Sequence, residues 1–272
     1  MTAAHSHSLT HLPPAATRLG HAFARPKVIA IVSVVALTSF GWGTLGLMSA
    51  EQSFLSALCR PAAGITGVSG AALIWLMWCA MTLAMMLPTA GGMIWTYAEI
   101  ADTAAKKGER IVSPLTLAAG YATVWLGFAV VAAALQAALI RAGVLTPTFA
   151  ASSALLSGAI FIAAGAYQFS ELKHACLKAC QQPFQFFFVN WTTSARGVFR
   201  LGFRQGLFCL GCCWAMMLVM FAVGAMNVVW MAALGAIMTI EKMSTNVRFT
   251  RAVGFAFVGI GAAFIASAFF AS

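Results

Sequence analysis

Residues 206–220 read Gly-Leu-Phe-Cys-Leu-Gly-Cys-Cys-Trp-Ala-Met-Met-Leu-Val-Met. They open an apolar run of about twenty residues, the length at which a helix crosses the hydrocarbon core of a bilayer. Five sulfur side chains share one face of this helix, with Cys212 beside them: Cys209, Cys213, Met216, Met217 and Met220. Thiolates and thioethers favour Cu(I), and thiolates also suit zinc. The segment therefore predicts a membrane span with a soft-metal site.

The composition of the whole chain indicates a membrane protein. The chain is 61% hydrophobic and 8% charged, with a mean hydropathy of +0.90, far from the balance of a soluble domain. Apolar runs occur at about 28–49, 71–97, 114–140, 152–169, 206–223, 228–240 and 252–270. We predict an all-α, polytopic helical membrane protein with about seven transmembrane helices, the last three separated by a tight turn at 224–227 and by a short segment after 241.

The distribution of basic residues predicts the orientation. With a cytoplasmic amino terminus, every Lys and Arg except Arg60 and Arg141 lies on the cytoplasmic side. Lysine and arginine are enriched in cytoplasmic loops, so this orientation is favoured. A single crossing over 206–241 would place Lys242, Arg248 and Arg251 on the opposite side, and we therefore expect two crossings there.

The amino-terminal segment differs from the rest of the chain. Residues 1–27 are polar and hold four histidines: His5, His7, His11 and His21. We predict a disordered cytoplasmic tail, followed by one transmembrane domain over residues 28–272. The first apolar segment is too long for a removed signal peptide and lacks its cleavage signature.

An amphipathic segment is predicted near residues 184–205. Arg196, Arg200 and Arg204 recur every fourth residue, and aromatic residues lie beside them. Such a helix lies in the headgroup region, where anionic lipid is its partner. This assignment accounts for the basic stripe without nucleic acid, and we expect no nucleic-acid partner.

A second candidate metal site follows span four. On a helix over 171–181, Glu171 and His174 share one face, whereas Cys176 and Cys180 share another. These residues could join one site if the helix breaks, or the two faces could serve different neighbours. In the predicted topology all the cysteines of residues 176–213 lie toward the cytoplasm, where a reducing environment keeps thiols free.

Span two carries a methionine stripe. Met77, Met81 and Met85 recur every fourth residue, and Pro88 should kink or unwind the helix. Methionine also fills gaps between packed helices, so packing and metal binding remain alternatives here. Residues 98–114 are expected to form a charged loop.

Three carboxylates lie at predicted cytoplasmic ends of spans: Glu99, Glu171 and Glu241. A carboxylate at the hydrocarbon boundary is costly unless it is solvated, paired or bound to a cation. Pairing with a neighbour such as Lys173 or Lys242 and a direct functional role are both open.

Several motifs resemble those of one known family. They are residues 85–88 (Met-Met-Leu-Pro), 168–180 with Pro183, 206–217, 226–231 and 241–242. Together they resemble an uncharacterised bacterial family of predicted metal-binding integral membrane proteins, defined by domain of unknown function 2182. The likeness covers roughly residues 70–265, and it implies a metal-binding membrane protein.

The leading hypothesis is a multi-pass protein of the bacterial inner membrane that binds copper(I), with zinc less favoured, and transports or delivers it. Its partners would be the bilayer, the metal ion and a membrane protein or a second copy of the chain. The candidate ligands are Cys176, Cys180, Cys209, Cys212, Cys213, Met81, Met85, Met216, Met217, Met220, Glu171 and His174.

Two other hypotheses compete with copper binding. One is a membrane thiol oxidoreductase in which Cys209 and Cys212 exchange electrons. The other is a non-catalytic subunit of a membrane complex, with the cysteines used for packing. The sequence has no phosphate-binding glycine loop, nucleophile elbow or His-Glu-x-x-His motif, which favours a protein that is not an enzyme.

Overall fold

The computed structural model describes residues 26–49, 68–145, 151–225 and 227–270. Its helices are α1 (Pro26–Ser49), α2 (Val68–Lys106), α3 (Pro114–Arg141), α4 (Ala154–Tyr167), α5 (Glu171–Gln181), α6 (Pro183–Val189), α7 (Ala195–Leu218), α8 (Met220–Val223), α9 (Val228–Met243) and α10 (Val247–Phe270). Within these ranges no strand forms, and the one β-bridge joins Leu145 to Ala151. The four tail histidines and Cys59 lie outside the described residues.

Five of the described helical segments are long and apolar enough to cross a membrane. They are Lys27–Leu47, Gly70–Lys106, Pro114–Arg141, Ala195–Val223 and Val247–Phe270. The pair α4 and α5, bent by 63°, is a sixth candidate if it is one broken span. The chain thus has the all-helical architecture of a polytopic membrane protein.

The predicted loop over 98–114 is wrong for most of its length, because α2 continues to Lys106. Ala98 and Ala101 are fully buried, and Lys106 pairs with Asp102 one turn earlier at 3.2 Å. This i,i+4 pair and the buried alanines support helix where the charges had indicated a loop. The helix ends at Lys106, and the turn after it contains Gly108, whose φ of 77° suits glycine, so the connection to α3 is short.

Pro88 lies inside α2 without interrupting it. Proline has no N–H, so it leaves the carbonyl of Ala84, four residues earlier, without its helical donor. The indole Nε1 of Trp42, on α1, donates to that carbonyl at 3.0 Å. The expected local unwinding is therefore not seen, because a neighbouring helix satisfies the freed group, as an apolar environment requires.

Trp42→Phe should lower the free energy of unfolding by about 1–3 kcal/mol, because it leaves the Ala84 carbonyl unsatisfied. The measurement is the thermal unfolding midpoint in detergent. Trp75→Phe, at an exposed ring on α2, is the matched control. Equal midpoints for the two variants would contradict the role given to Trp42.

Glycines bring α3 and α7 into close contact. A Cβ on Gly202 of α7 would collide with the backbone carbonyl of Leu117, and one on Gly120 of α3 would collide with that of Phe199. Small residues let membrane helices approach to backbone contact. One face of α7 is therefore held against α3, which directs its cysteines toward the interior.

Helices α4 and α10 are paired in the same way. A Cβ on Gly158 would lie 2.7 Å from the carbonyl oxygen of Gly261, and the reverse distance is also 2.7 Å. Since this packing buries one side of α4, it fixes where the chain turns into α5.

The segment near 184–205 is divided between α6 and the first turns of α7. Helix α7 begins at Ala195 rather than at Gly206, so the arginine stripe and the cysteine segment belong to one continuous helix. Arg204 donates to Asn190 Oδ1 at 3.1 Å and lies 5.2 Å from the ring centroid of Phe186. Contact of the stripe with lipid stays a prediction.

The predicted turn at 224–227 is confirmed as a break between helices. Gly224 has a φ of 97°, and the Asn227 side chain accepts a hydrogen bond from Trp230 N at 3.2 Å to begin α9. Helix α9 has 16 residues. At 1.5 Å per residue this is about 24 Å, less than the roughly 30 Å of hydrocarbon that a span crosses.

Candidate functional site

Three thiols form a buried cluster on α7. Cys209, Cys212 and Cys213 are 2%, 1% and 1% exposed. The sulfurs of Cys212 and Cys213 lie 3.3 Å apart, and the Cys212 thiol donates to the Cys209 carbonyl at 3.2 Å. Both thiols are also neighbours of the Cys209 sulfur. Helical spacing and the contact of α7 with α3 together place three sulfurs inside the bundle.

Helix α5 adds the second predicted cysteine pair to this cluster. The Cys180 thiol is a neighbour of the Cys212 thiol. The Cys176 sulfur rests on α7, where a Cβ at Gly211 would lie only 2.6 Å from it. The Tyr167 hydroxyl donates to the Gly211 carbonyl at 2.5 Å and holds the end of α4 against the same turn.

Glu171 and His174 lie elsewhere. They line a groove of about 770 Å³ between α5 and the start of α10, together with Lys178 and Arg251. The two faces of α5 thus serve different neighbours, which was one of the two alternatives left by the sequence. These two residues are not brought to the thiols.

Lys242 reaches the thiol cluster from α9. Its Nζ donates to Cys209 Sγ at 2.8 Å and to Thr89 Oγ1 at 2.7 Å. The hydroxyl of Tyr121 lies 2.9 Å from the same sulfur and donates to the Met86 carbonyl at 3.1 Å. An ammonium at this distance makes a charge-assisted contact with the sulfur. The cluster therefore includes a lysine side chain in direct contact with one of its thiols.

A buried ion pair joins α5 to α9. Lys173 Nζ lies 2.8 Å from Glu241 Oε2, with side chains 0% and 2% exposed. Gln181 Nε2 donates to the carbonyls of Glu241 and Ser244 at 2.8 and 2.7 Å. From the sequence, Lys173 and Lys242 were both candidate partners of Glu241. Lys173 is the partner, whereas Lys242 contacts Cys209.

The remaining carboxylates do not enter the cluster. Glu99 pairs with Lys27 at 3.3 Å in a half-exposed contact, and Glu171 is exposed. Their positions agree with ordinary pairing and solvation, whereas Glu241 is deeply buried.

The methionines of the two predicted stripes are buried in one hydrophobic core. Those proposed as ligands are all at most 1% exposed: Met81, Met85, Met216, Met217 and Met220. Helix α7 ends at Leu218, so Met220 belongs to α8. Buried methionines pack as well as ligate, and their binding to metal stays a prediction.

The thiol cluster does not have the arrangement of a multidentate metal site. Over the described ranges, no group of three or more His, Cys, Asp or Glu side chains is placed to hold a metal ion. The assignment of individual ligands therefore also stays a prediction.

Sequence reasoning did not connect Lys242, Tyr121 or Thr89 with Cys209. A lysine at the end of an apolar helix is a signal that could have singled out Lys242. The sequence around Tyr121 gives no such signal. Tyr121 precedes Cys209 by 88 residues, and only the packing of α3 on α7 brings the two together.

The comparisons with known proteins point to copper. Residues 75–264 match the profile of the PpoB2 family, described as copper chaperone. No curated protein and no solved structure matches the chain. The resemblance to a metal-related family is thus supported, although the match does not carry the name domain of unknown function 2182. Since it covers more than half of the 272 residues, the chain belongs to the PpoB2 copper chaperone family.

Proposed function

We propose that this protein is a membrane-embedded copper(I) chaperone that holds the ion at the thiol cluster of α5 and α7 and delivers it to a partner. The observation that carries the proposal is the pair of buried sulfurs of Cys212 and Cys213, 3.3 Å apart, with the Cys209 and Cys180 thiols as their neighbours. An all-sulfur donor set favours the soft Cu(I) ion.

The charges of the cluster fit a monovalent cation. One thiolate and one Cu(I) together carry no net charge, so a single deprotonated cysteine of the cluster would balance the ion. Charge that is buried must be compensated, because desolvation is costly. Zinc takes four protein ligands in its structural sites, and it is the less favoured ion here.

The methionines supply weaker positions deeper in the bundle. Thioethers bind Cu(I) without a charge of their own. A series of weak sites lets an ion enter and leave, as in channels. Met81, Met85, Met216, Met217 and Met220 would form that series, and the groove of Glu171 and His174 would be an outer position.

The same proposal includes a topology. The five long spans, the α4–α5 pair and α9 would make seven crossings, with the amino terminus in the cytoplasm of a bacterium and the protein in its inner membrane. The thiols then face a reducing compartment, which keeps them available for copper. The arginine stripe of α7 would contact anionic lipid, and a membrane protein or a second copy of the chain would receive the ion.

The test is the copper content of anaerobically purified protein after reconstitution with Cu(I), measured by elemental mass spectrometry. Wild type should retain stoichiometric copper, and Cys209→Ser/Cys213→Ser should lose it, because sulfur ligands are removed from the cluster. Cys79→Ser, at a half-buried cysteine of α2, is the matched control and should retain copper. Copper-free wild type, or full copper in the double variant, would overturn the proposal.

A second candidate function is thiol oxidoreduction. The contact of Lys242 with Cys209 favours it, since a neighbouring ammonium supports a nucleophilic thiolate. The Cys209 and Cys212 thiols would form a disulfide while two electrons and two protons pass to a quinone. Reversible oxidation of this pair in copper-free membranes, followed by thiol-labelling mass spectrometry, distinguishes it from copper delivery.

A further inference from the structure

Both polar neighbours of the Cys209 sulfur have a second hydrogen-bond partner outside the thiol cluster. Lys242 Nζ donates to Thr89 Oγ1 at 2.7 Å, and the Tyr121 hydroxyl donates to the Met86 carbonyl at 3.1 Å. Each can release the sulfur without becoming a buried group with no partner, which would be costly. Lys242 and Tyr121 can therefore each move away from the Cys209 sulfur and keep one hydrogen bond.

The Lys242 ammonium occupies the position beside the Cys209 sulfur that an incoming cation would take. At 2.8 Å from Sγ it is in direct contact, and no other cation could approach that side of Cys209 without displacing it. Two unit positive charges this close repel each other strongly in a site of low dielectric. Copper and the ammonium therefore compete for one sulfur.

We propose that Lys242 is a built-in competitor of copper(I) at Cys209. The ammonium holds the empty site, moves toward Thr89 when copper binds, and returns to the sulfur as copper leaves. This inference rests on the proposed function. It makes Lys242 the residue that limits how tightly the chaperone holds its ion, and so sets the rate of delivery.

This role suits a chaperone because its cargo must leave. A cluster of buried sulfurs alone would bind Cu(I) tightly and release it slowly. Because the ammonium is part of the chain, it stays close to Cys209 and can displace copper from the sulfur without any added reagent. A hydrogen bond to a charged group corresponds to about a 10- to 100-fold change in an equilibrium or rate constant.

The experiment follows transfer of Cu(I) from the full-length protein in detergent to the chromophoric chelator bathocuproine disulfonate, under anaerobic conditions. Lys242→Leu removes the charge and adds no metal ligand. Release from this variant should be about 10- to 100-fold slower than from wild type, because no ammonium returns to Cys209. Lys242→Arg keeps the charge and should release copper at close to the wild-type rate.

Lys107→Leu is the matched control, since Lys107 is an exposed lysine just beyond the end of α2, outside both the thiol cluster and the groove of Glu171 and His174. Its release rate should equal that of wild type. Thermal unfolding of each variant shows whether a changed release rate reflects a lost fold. If Lys242→Leu does not fold, Lys242→Arg keeps the test decisive. An arginine variant that releases copper as slowly as expected for Lys242→Leu would contradict competition by charge.

The outcomes separate this inference from the proposed function. Wild type that retains copper, with release from Lys242→Leu as fast as from wild type or faster, would overturn the role of Lys242 and leave the chaperone function standing. Wild type that takes up no copper would overturn both.

Discussion

Lys173→Met should lower the free energy of unfolding by about 3–5 kcal/mol, the cost of leaving one member of a buried ion pair without its partner. Lys173 and Glu241 lie 2.8 Å apart and are 0% and 2% exposed. The second oxygen of Glu241, Oε1, already has no hydrogen-bond partner. Among the described residues, Lys173 is the only side chain that donates to this carboxylate, so the substitution leaves the carboxylate without a donor.

The measurement is unfolding by sodium dodecyl sulfate in mixed micelles, which gives a free energy for each variant. Lys178→Met, at an exposed position on the same helix, should differ little from wild type. The double variant Lys173→Met/Glu241→Leu should recover much of the loss, because both charges are then removed together. A double variant as unstable as the sum of the two single variants would contradict this account.

The same ion pair supports the thiol cluster. Helix α5 carries Cys180, and α9 carries Lys242; the pair and the two hydrogen bonds from Gln181 join these helices. If the pair is lost, Cys180 and Lys242 are no longer held in place beside the α7 cysteines. A loss of stability at Lys173 should therefore be accompanied by weaker copper retention.

Gly202→Ala should also destabilise the protein, by about 1–3 kcal/mol or somewhat more. The new Cβ would collide with the backbone carbonyl of Leu117, and backbone of a packed helix cannot move aside as a flexible side chain can. In a helix without such a contact, the same change is favourable by about 0.5–1 kcal/mol, since alanine is the better helix former. The collision must therefore reverse the sign of the usual effect.

Gly127→Ala tests the sign directly. Gly127 is an exposed residue of α3, and a Cβ there meets nothing within 4 Å. The control should be neutral or more stable in the same detergent unfolding measurement, while Gly202→Ala should be less stable and should retain less copper. Two variants shifted in the same direction would show that α3 and α7 are not packed as closely as described.

The helical class and the face of α7 could be predicted from the sequence because both depend on local spacing. Apolar length marks a span, and a period of 3.6 residues puts Cys209 and Cys213 on one face. Local charge density misled the prediction at 98–106, where buried alanines and the Asp102–Lys106 pair keep α2 helical. The prediction also started the cysteine-bearing helix at Gly206 instead of Ala195, because the arginines of its first turns were assigned to a separate interfacial segment.

The sequence by itself determined that the chain consists of apolar helices, that five of its seven cysteines are collected in two short segments, and that several methionines recur at helical spacing. Only the tertiary structure decided that Lys173 pairs with Glu241, that Glu171 and His174 face away from the thiols, and that Lys242 and Tyr121 contact Cys209. Periodicity acts over a few residues along one helix, whereas Lys242 and Tyr121 lie 33 and 88 residues from Cys209. Those contacts depend on which helices pack together and at what rotation, and close approach at residues such as Gly202 determines both.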